Sequence, residues 1–221
     1  MVAPPVLLVH GFATSAARTW GENGWIDMLG DMGRKVIAPD LPGHGPGPHD
    51  PATFADLGGA VAAAVPDEPV DAIGFSLGAR TLLGLAVDGR VRFRRLVVAG
   101  VGANLFRSEG SEVIVQALRG GGDPANPVTA YFARLAQHPE SDADALAAVM
   151  EARQPPLTTK GLGTLTFPTL VVLGDQDFAG PADPLVDAIP GSELVVLRNT
   201  DHFATPKSFA FMDKALAFLD R

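Results

Sequence analysis

Apolar residues fall in six short, nearly unbroken runs along the chain, at 6–9, 35–38, 70–75, 96–99, 169–173 and 194–197. A strand with one face in water alternates apolar and polar positions. Most of these runs do not, so they read as parallel strands covered on both faces. Between them, apolar positions recur at helical spacing over 25–32, 54–65, 77–88, 184–189 and 208–219. Alternation of this kind predicts an α/β protein with a doubly wound, mostly parallel sheet and right-handed crossovers. In such a sheet ligands bind at the carboxyl ends of the strands.

The strand signal stops between residues 102 and 166. An amphipathic stretch at 112–118 is followed by a glycine- and proline-rich break at 120–127 and by helical patterns over 128–137 and 143–153. Arg119-Gly120-Gly121-Gly122 follows a helix rather than a strand, so it reads as a helix stop and not as a phosphate cradle. Helices this short hold only by burying an apolar face. Most of Leu105, Phe106, Ile114, Val115, Leu118, Tyr131, Phe132, Leu135, Leu146, Val149 and Met150 must therefore pack, and a minority face a pocket.

With 221 residues, 47% of them hydrophobic and 19% charged, the chain can bury one sizeable core as a single domain over 1–221. Its apolar runs are too short for a transmembrane helix, and its start lacks the basic and apolar segments of a signal peptide, so a cytoplasmic protein is expected. The absence of cysteine removes disulfides and thiolate catalysis. A formal net charge of −8 disfavours nucleic acid and anionic membrane surfaces as partners. Against that trend, Arg90-Val91-Arg92-Phe93-Arg94-Arg95 lies between a helix and a strand, where cations complement a helix C-terminus. Nothing in the pattern specifies an oligomeric state.

The run at 70–75 delivers Gly74-Phe75-Ser76-Leu77-Gly78 just where a helix begins. This is the nucleophile-elbow pattern, a strained turn that leaves the serine hydroxyl standing at the strand's carboxyl end. Taken alone, the pentapeptide could equally be a glycine-rich turn that contains a serine. A serine hydroxyl is a weak nucleophile and needs a histidine base held by an acid. Downstream, one strand runs into Gly174-Asp175-Gln176-Asp177 and another into Asn199-Thr200-Asp201-His202. Upstream, His10-Gly11-Phe12 forms a tight turn after the first strand, placed to offer the Phe12 N–H to an oxyanion, with the Leu77 N–H as the second donor.

Together with Ala38-Pro39-Asp40-Leu41-Pro42-Gly43-His44-Gly45 and the segment 168–177, these residues resemble the α/β-hydrolase superfamily, in the branch of small carboxylesterases and haloperoxidase-like enzymes. The resemblance spans nearly the whole chain. It implies an α/β-hydrolase fold, with a small helical lid inserted at 103–165 and a Ser76, Asp177, His202 triad working through an acyl-enzyme on a small ester or acyl substrate. Relatives carry two strands before the oxyanion turn that are missing here, so a sheet of about six strands is expected. The resemblance also selects Asp177 as the acid, since the family's acid usually stands three residues past the strand-ending glycine. Asp175 is then a loop carboxylate and Asp183 a solvent-facing residue at a helix start.

Neither a cofactor nor a metal is expected, because His49 and His138 sit in loop-like surroundings with no partner at ligand spacing. Asp40 and His44 are read as a polar pair bracing their loop. Arg80, one helical turn past Ser76, is the candidate substrate anchor. Resembling lyases of menaquinone biosynthesis, which eliminate pyruvate from a polyanionic intermediate, carry an arginine there, with Arg107, Arg119, Arg134 and Arg153 as further cations in the lid. Arg80 can also brace the loop around Asp40 or the lid. The lyase is the alternative function; perhydrolase chemistry and a low-turnover ligand receptor on the same fold are further alternatives.

Overall fold

The computed structural model describes residues 3–46, 48–107, 111–123, 125–152 and 154–221. Six strands, β1 (Val6–Val9), β2 (Val36–Ile37), β3 (Val70–Phe75), β4 (Phe93–Ala99), β5 (Thr169–Gly174) and β6 (Glu193–Leu197), form one sheet in the order β2-β1-β3-β4-β5-β6. Every neighbouring pair is parallel. The order reverses between β1 and β3, so the crevice of a doubly wound sheet opens above the ends of these two strands.

The continuous apolar runs are explained by the two cores they serve. Leu7 and Val9 of β1 point into one core with Ala72, Leu96, Val98, Val171 and Leu173, under α2 (Leu57–Ala64), α3 (Leu77–Asp88) and α8 (Asp183–Ala188). Val6 and Leu8 point into the other with Ile73, Phe75, Val97, Ala99 and Val172, under α1 (Trp25–Asp31) and α9 (Phe209–Leu219). Each fully buried strand side chain contributes roughly 1.5–3 kcal/mol of transfer free energy. Trp25 anchors the second core, meeting Trp20 edge-on at 5.4 Å and Phe211 at 4.8 Å while its indole N–H donates to the Pro206 carbonyl at 2.9 Å.

The strand β4 begins three residues before the run that predicted it, because its first turn carries Arg94 and Arg95. Of Arg90, Arg92, Arg94 and Arg95, Arg94 meets a helix C-terminus as expected, though it is that of α9, through the Leu219 carbonyl, and Arg95 reaches the Arg221 carbonyl. Arg90 pairs with Asp56 and Asp88, and Arg92 with Asp67. Arg94 grips the buried Asp71 with two bonds of 2.7 and 2.6 Å. The other side of Asp71 is held by Arg34, which also donates to the Pro4 carbonyl at 2.8 Å. This buried Arg34–Asp71–Arg94 group went unrecognised in the sequence, since its members are far apart along the chain.

Beyond β4, α4 (Ser111–Leu118), α5 (Pro127–Ala136) and α6 (Ala143–Glu151) form a helical layer, followed by the short α7 (Thr159–Leu162). The layer has its own apolar cluster of Leu118, Phe132, Leu146 and Ala147, which packs on Ala13 of the loop after β1. Val149 reaches further, into the main core. After α4 the chain turns at Gly120 and Gly122, both at positive φ, which makes this glycine run the helix stop expected. Among the described residues, no helix is long and apolar enough to cross a membrane.

Candidate active site

Three loops meet above the β1/β3 crevice. The first is the turn after β3, where Ser76 sits at φ 53° and ψ −114°, a strained conformation for a residue with a side chain. Its neighbours explain why the turn needs glycine on each side. A Cβ on Gly74 would lie 2.7 Å from the Ala79 backbone, and one on Gly78 would run into the carbonyls of Val9 and His10. Strand and helix can therefore pack this closely only without side chains at 74 and 78, and the tight packing forces the turn.

The second loop follows β5 and carries Asp177, and the third follows β6 and carries His202. Both side chains are buried. His202 Nδ1 lies 2.9 and 3.0 Å from the two carboxylate oxygens of Asp177, and His202 Nε2 lies 3.0 Å from Ser76 Oγ. One carboxylate oxygen of Asp177 also accepts the Ala179 N–H at 2.8 Å, which fixes its orientation. With Nδ1–H donated to Asp177, Nε2 is the lone-pair nitrogen facing the serine hydroxyl. The imidazole packs between Phe75, 4.9 Å away, and the half-exposed Phe178, 4.4 Å away, with Phe203 edge-on at 5.5 Å. These rings limit the water that can reach it.

The remaining carboxylates have other partners. Asp175 accepts the Thr200 N–H at 3.2 Å, and Asp183 is an exposed residue opening α8. In the turn after β1, Ala13 is held at φ 56° and Gly11 packs against the Phe75 ring. Phe12 lies within that turn, and Leu77 is the first residue of α3, where N–H groups have no carbonyl one turn earlier to bond.

His10 secures the turn from behind, with Nδ1 bonded to the Gly11 carbonyl at 2.7 Å and Nε2 accepting the Leu41 N–H at 3.0 Å. Burial lowers its pKa to about 4, so it is neutral and its tautomer is set by these two partners. His44, tilted against His10 and edge-on to Phe12, is lowered to about 3, by burial first and by His10 second. Asp40 and His44 do brace the loop, but not as a pair. Asp40 accepts the Ala16 N–H at 2.7 Å and His44 Nδ1 bonds the Pro42 carbonyl at 2.9 Å.

A cavity of about 840 Å³ opens over Ser76 and His202. Phe12, Phe75 and Phe203 line its floor, and the wall is α5 and the residues after it, through Tyr131, Phe132, Leu135 and His138. The cavity-facing minority of the helical layer's apolar residues is thus Tyr131, Phe132 and Leu135. His138 is half-buried in this wall. Arg80 is elsewhere. Its guanidinium donates to the Pro155 carbonyl at 2.8 Å and lines a separate cleft with Asp56 and Arg90. Of the other lid arginines, Arg119 is paired with Glu151 at 2.9 Å, Arg107 is exposed, Arg153 lies outside the described residues, and Arg134 alone lines the cavity.

Sequence reasoning missed Arg18, which reaches the cavity from a single π-helical turn, Ala17–Gly21, six residues past Phe12. No apolar period marks so short a turn. Among the described residues, no group of three histidine, aspartate or glutamate side chains converges as a metal site.

Residues 6–215 match the model of a family described as the alpha/beta hydrolase family. No curated protein sequence matches the chain. Many solved structures share the fold. An esterase from Exiguobacterium antarcticum superposes with a TM-score of 0.78 at 18% identity, covering 100% of this chain and 94% of its own. The enol-lactonase from Burkholderia xenovorans LB400 superposes with a TM-score of 0.73 at 22% identity, covering 99% and 92%. A hydrolase from Pseudomonas aeruginosa PA01 gives 0.67 at 23% identity, covering 99% and 91%.

Proposed function

The chain belongs to the alpha/beta hydrolase family, and from that premise we propose that it is a serine hydrolase cleaving a carboxylic ester or related acyl compound through an acyl-enzyme on Ser76. The observation that carries the reading is the unbroken hydrogen-bonded series from Ser76 Oγ through His202 to Asp177. His202 Nε2 takes the hydroxyl proton as Oγ attacks the acyl carbonyl, and Asp177 holds the tautomer and stabilises the imidazolium. The N–H groups of Phe12 and Leu77 receive the developing oxyanion, each such donor being worth ~3 kcal/mol of transition-state stabilisation. The imidazolium then protonates the leaving alcohol, and a water, deprotonated by the same nitrogen, releases the acid.

On this reading the helices of segment 103–165 are a lid that walls the acyl pocket. Esterase and lactonase neighbours on the same fold support the class of reaction without fixing the substrate. The elimination alternative drew on Arg80 as an anchor for a polyanion. The bond from Arg80 to Pro155, in a cleft apart from Ser76, supports a bracing role instead.

A fluorophosphonate probe tests the mechanism directly. Wild type is expected to be labelled on Ser76 and to hydrolyse p-nitrophenyl esters over many turnovers, and Ser76→Ala to lose both. Labelling or full turnover in Ser76→Ala would overturn the proposal; single-turnover behaviour in wild type would favour a receptor.

A further inference from the structure

Six of the thirteen arginines of this chain pair with carboxylates among the described residues. Arg34 and Arg94 share Asp71, Arg90 holds Asp56, Arg92 holds Asp67, Arg119 holds Glu151 and Arg221 holds Glu193. Arg18 and Arg134 make no ion pair among the described residues, and both line the cavity over Ser76. They come from independent elements, Arg18 from the turn after the Phe12 loop and Arg134 from the last turn of α5.

Tyr131 lines the same cavity beside Arg134. The Arg134 guanidinium lies 5.8 Å from the Tyr131 ring, and both arginines bear electrostatically on the Tyr131 hydroxyl. The phenol's pKa is raised by burial, with Arg134 and Arg18 pulling it down and Asp201 opposing them. A third cation, Lys207, lines the same cavity, against a single lining carboxylate, Glu22. In a chain of net charge −8, the cavity wall is locally cationic.

We propose that Arg18 and Arg134 form an anion subsite for the distal carboxylate of the substrate, so that the favoured ester has an acyl chain ending in a negative charge. The inference rests on the serine-hydrolase reading for its chemistry, but not for the existence of the subsite. A guanidinium fork with no internal carboxylate partner is the kind of donor that pairs with carboxylate oxygens, and this cavity holds two. The Tyr131 hydroxyl is a further donor beside them. Phe12, Phe132 and Leu135 supply the apolar stretch between this subsite and Ser76 that a methylene chain would follow. A neutral ester of the same length would leave both cations without a partner.

The test compares mono-p-nitrophenyl esters of adipic, pimelic and suberic acid with p-nitrophenyl alkanoates of matching length. At the best length, wild type is expected to favour the anionic ester at least tenfold in kcat/KM at low salt, and the preference should shrink in 0.5 M NaCl, where charges are screened within about 4 Å. Arg18→Gln and Arg134→Gln should each cut the preference at least fivefold, through KM rather than kcat, and Arg18→Glu should reverse it. Arg119→Gln, which removes a lid arginine paired at the surface, should leave it unchanged. Equal rates on the two series, or a preference that survives both arginine variants, would overturn the subsite while leaving the hydrolase intact. Binding without chemistry separates the readings: an adipate monoamide that raises the Tm only when both arginines are present, in a protein that turns over neither series, would retain the subsite and overturn the hydrolase.

Discussion

Gly174, the last residue of β5, passes so close beneath the Thr200 carbonyl that no side chain would fit between them. The contact splices two loops that the sequence keeps apart. The Thr200 carbonyl accepts the Gln176 N–H at 3.1 Å, its N–H is accepted by Asp175 at 3.2 Å, and the Asp175 N–H reaches the Leu197 carbonyl at 2.9 Å. Asp177 stands three residues past Gly174, and His202 two past Thr200. Their hydrogen bond is therefore set by backbone contacts rather than by the two side chains finding one another.

That rigidity makes the acid's chemistry separable from its position. Asp177→Asn keeps the side chain's shape and its acceptor for Ala179 N–H, but its amide can donate to Nδ1 and so turn the imidazole's lone pair away from Ser76. A kcat loss of about ten-thousandfold is expected, the scale for such a swap in a triad of this type, with KM nearly unchanged. Steady-state kinetics on one ester checks it, and a loss below tenfold would remove Asp177 from the assigned role.

How much of this was legible without coordinates follows from how local each signal is. The six strands and the Ser76 turn were readable because a buried parallel strand and a glycine-flanked elbow are written in consecutive residues. The bounds of β3 and α3 coincide with the pattern, and β4 was shortened only because the cations at its start were read as complementing the end of the preceding helix. The π-helical turn carrying Arg18, the Arg34–Asp71–Arg94 group and the place of Arg80 were not readable. Each depends on contacts between distant segments, and an arginine one helical turn past the serine can point to either side of α3. Tyr131 and Arg134 were recognised as lid residues, but which lid residues face inward is decided by the packing of α4, α5 and α6, not by their period.

Two buried histidines predict an acid limit to stability that is independent of catalysis. In the unfolded chain His10 and His44 take a proton near pH 6.5, whereas folded they do so only at about 4 and about 3. Between those values the unfolded state binds more protons, so stability falls as pH drops below 6.5. At pH 5 each has given up about 2 kcal/mol, and the two losses add because both rings are still neutral in the folded state there. Urea midpoints should hold steady from pH 8 to 7 and then decline from 6.5 to 5. A midpoint unchanged between pH 7 and 5 would show that the two rings are not held neutral.

Asp71 ties the N-terminal ends of β3 and β4 to Arg34 and, through Arg94, to the Leu219 carbonyl at the end of α9. Removing the carboxylate leaves Arg34 buried with only the exposed Asp220, 3.8 Å away, as counter-charge. Asp71→Ala is expected to cost about 3–5 kcal/mol, the penalty for breaking a buried pair from one side. The Arg34→Met, Asp71→Leu, Arg94→Met combination should recover most of it, since an apolar set has no charge left to strand. Because Asp71 is at the end of β3 opposite Ser76, kcat of the folded fraction should change less than twofold; denaturant titration and active-site labelling measure the two quantities separately.

The glycines of α3 give the sharpest contrast within one element. Gly84 has no atom within 4 Å of where a Cβ would stand, its own helix backbone aside, whereas a Cβ on Gly78 would meet the Val9 and His10 carbonyls beneath the Phe12 turn. Gly84→Ala should raise stability by about 0.5–1 kcal/mol by restricting the unfolded chain and improving helix propensity, with activity unchanged. Gly78→Ala should lower it by about 1–3 kcal/mol, as overpacking does. It should also depress kcat, because the helix can relieve the clash only by moving Leu77 and Ser76 away from the Phe12 loop. Thermal melts and ester kinetics on the two variants check both halves, and a Gly78→Ala protein with wild-type kcat would mean that the close approach of α3 to β1 does not set the position of Ser76.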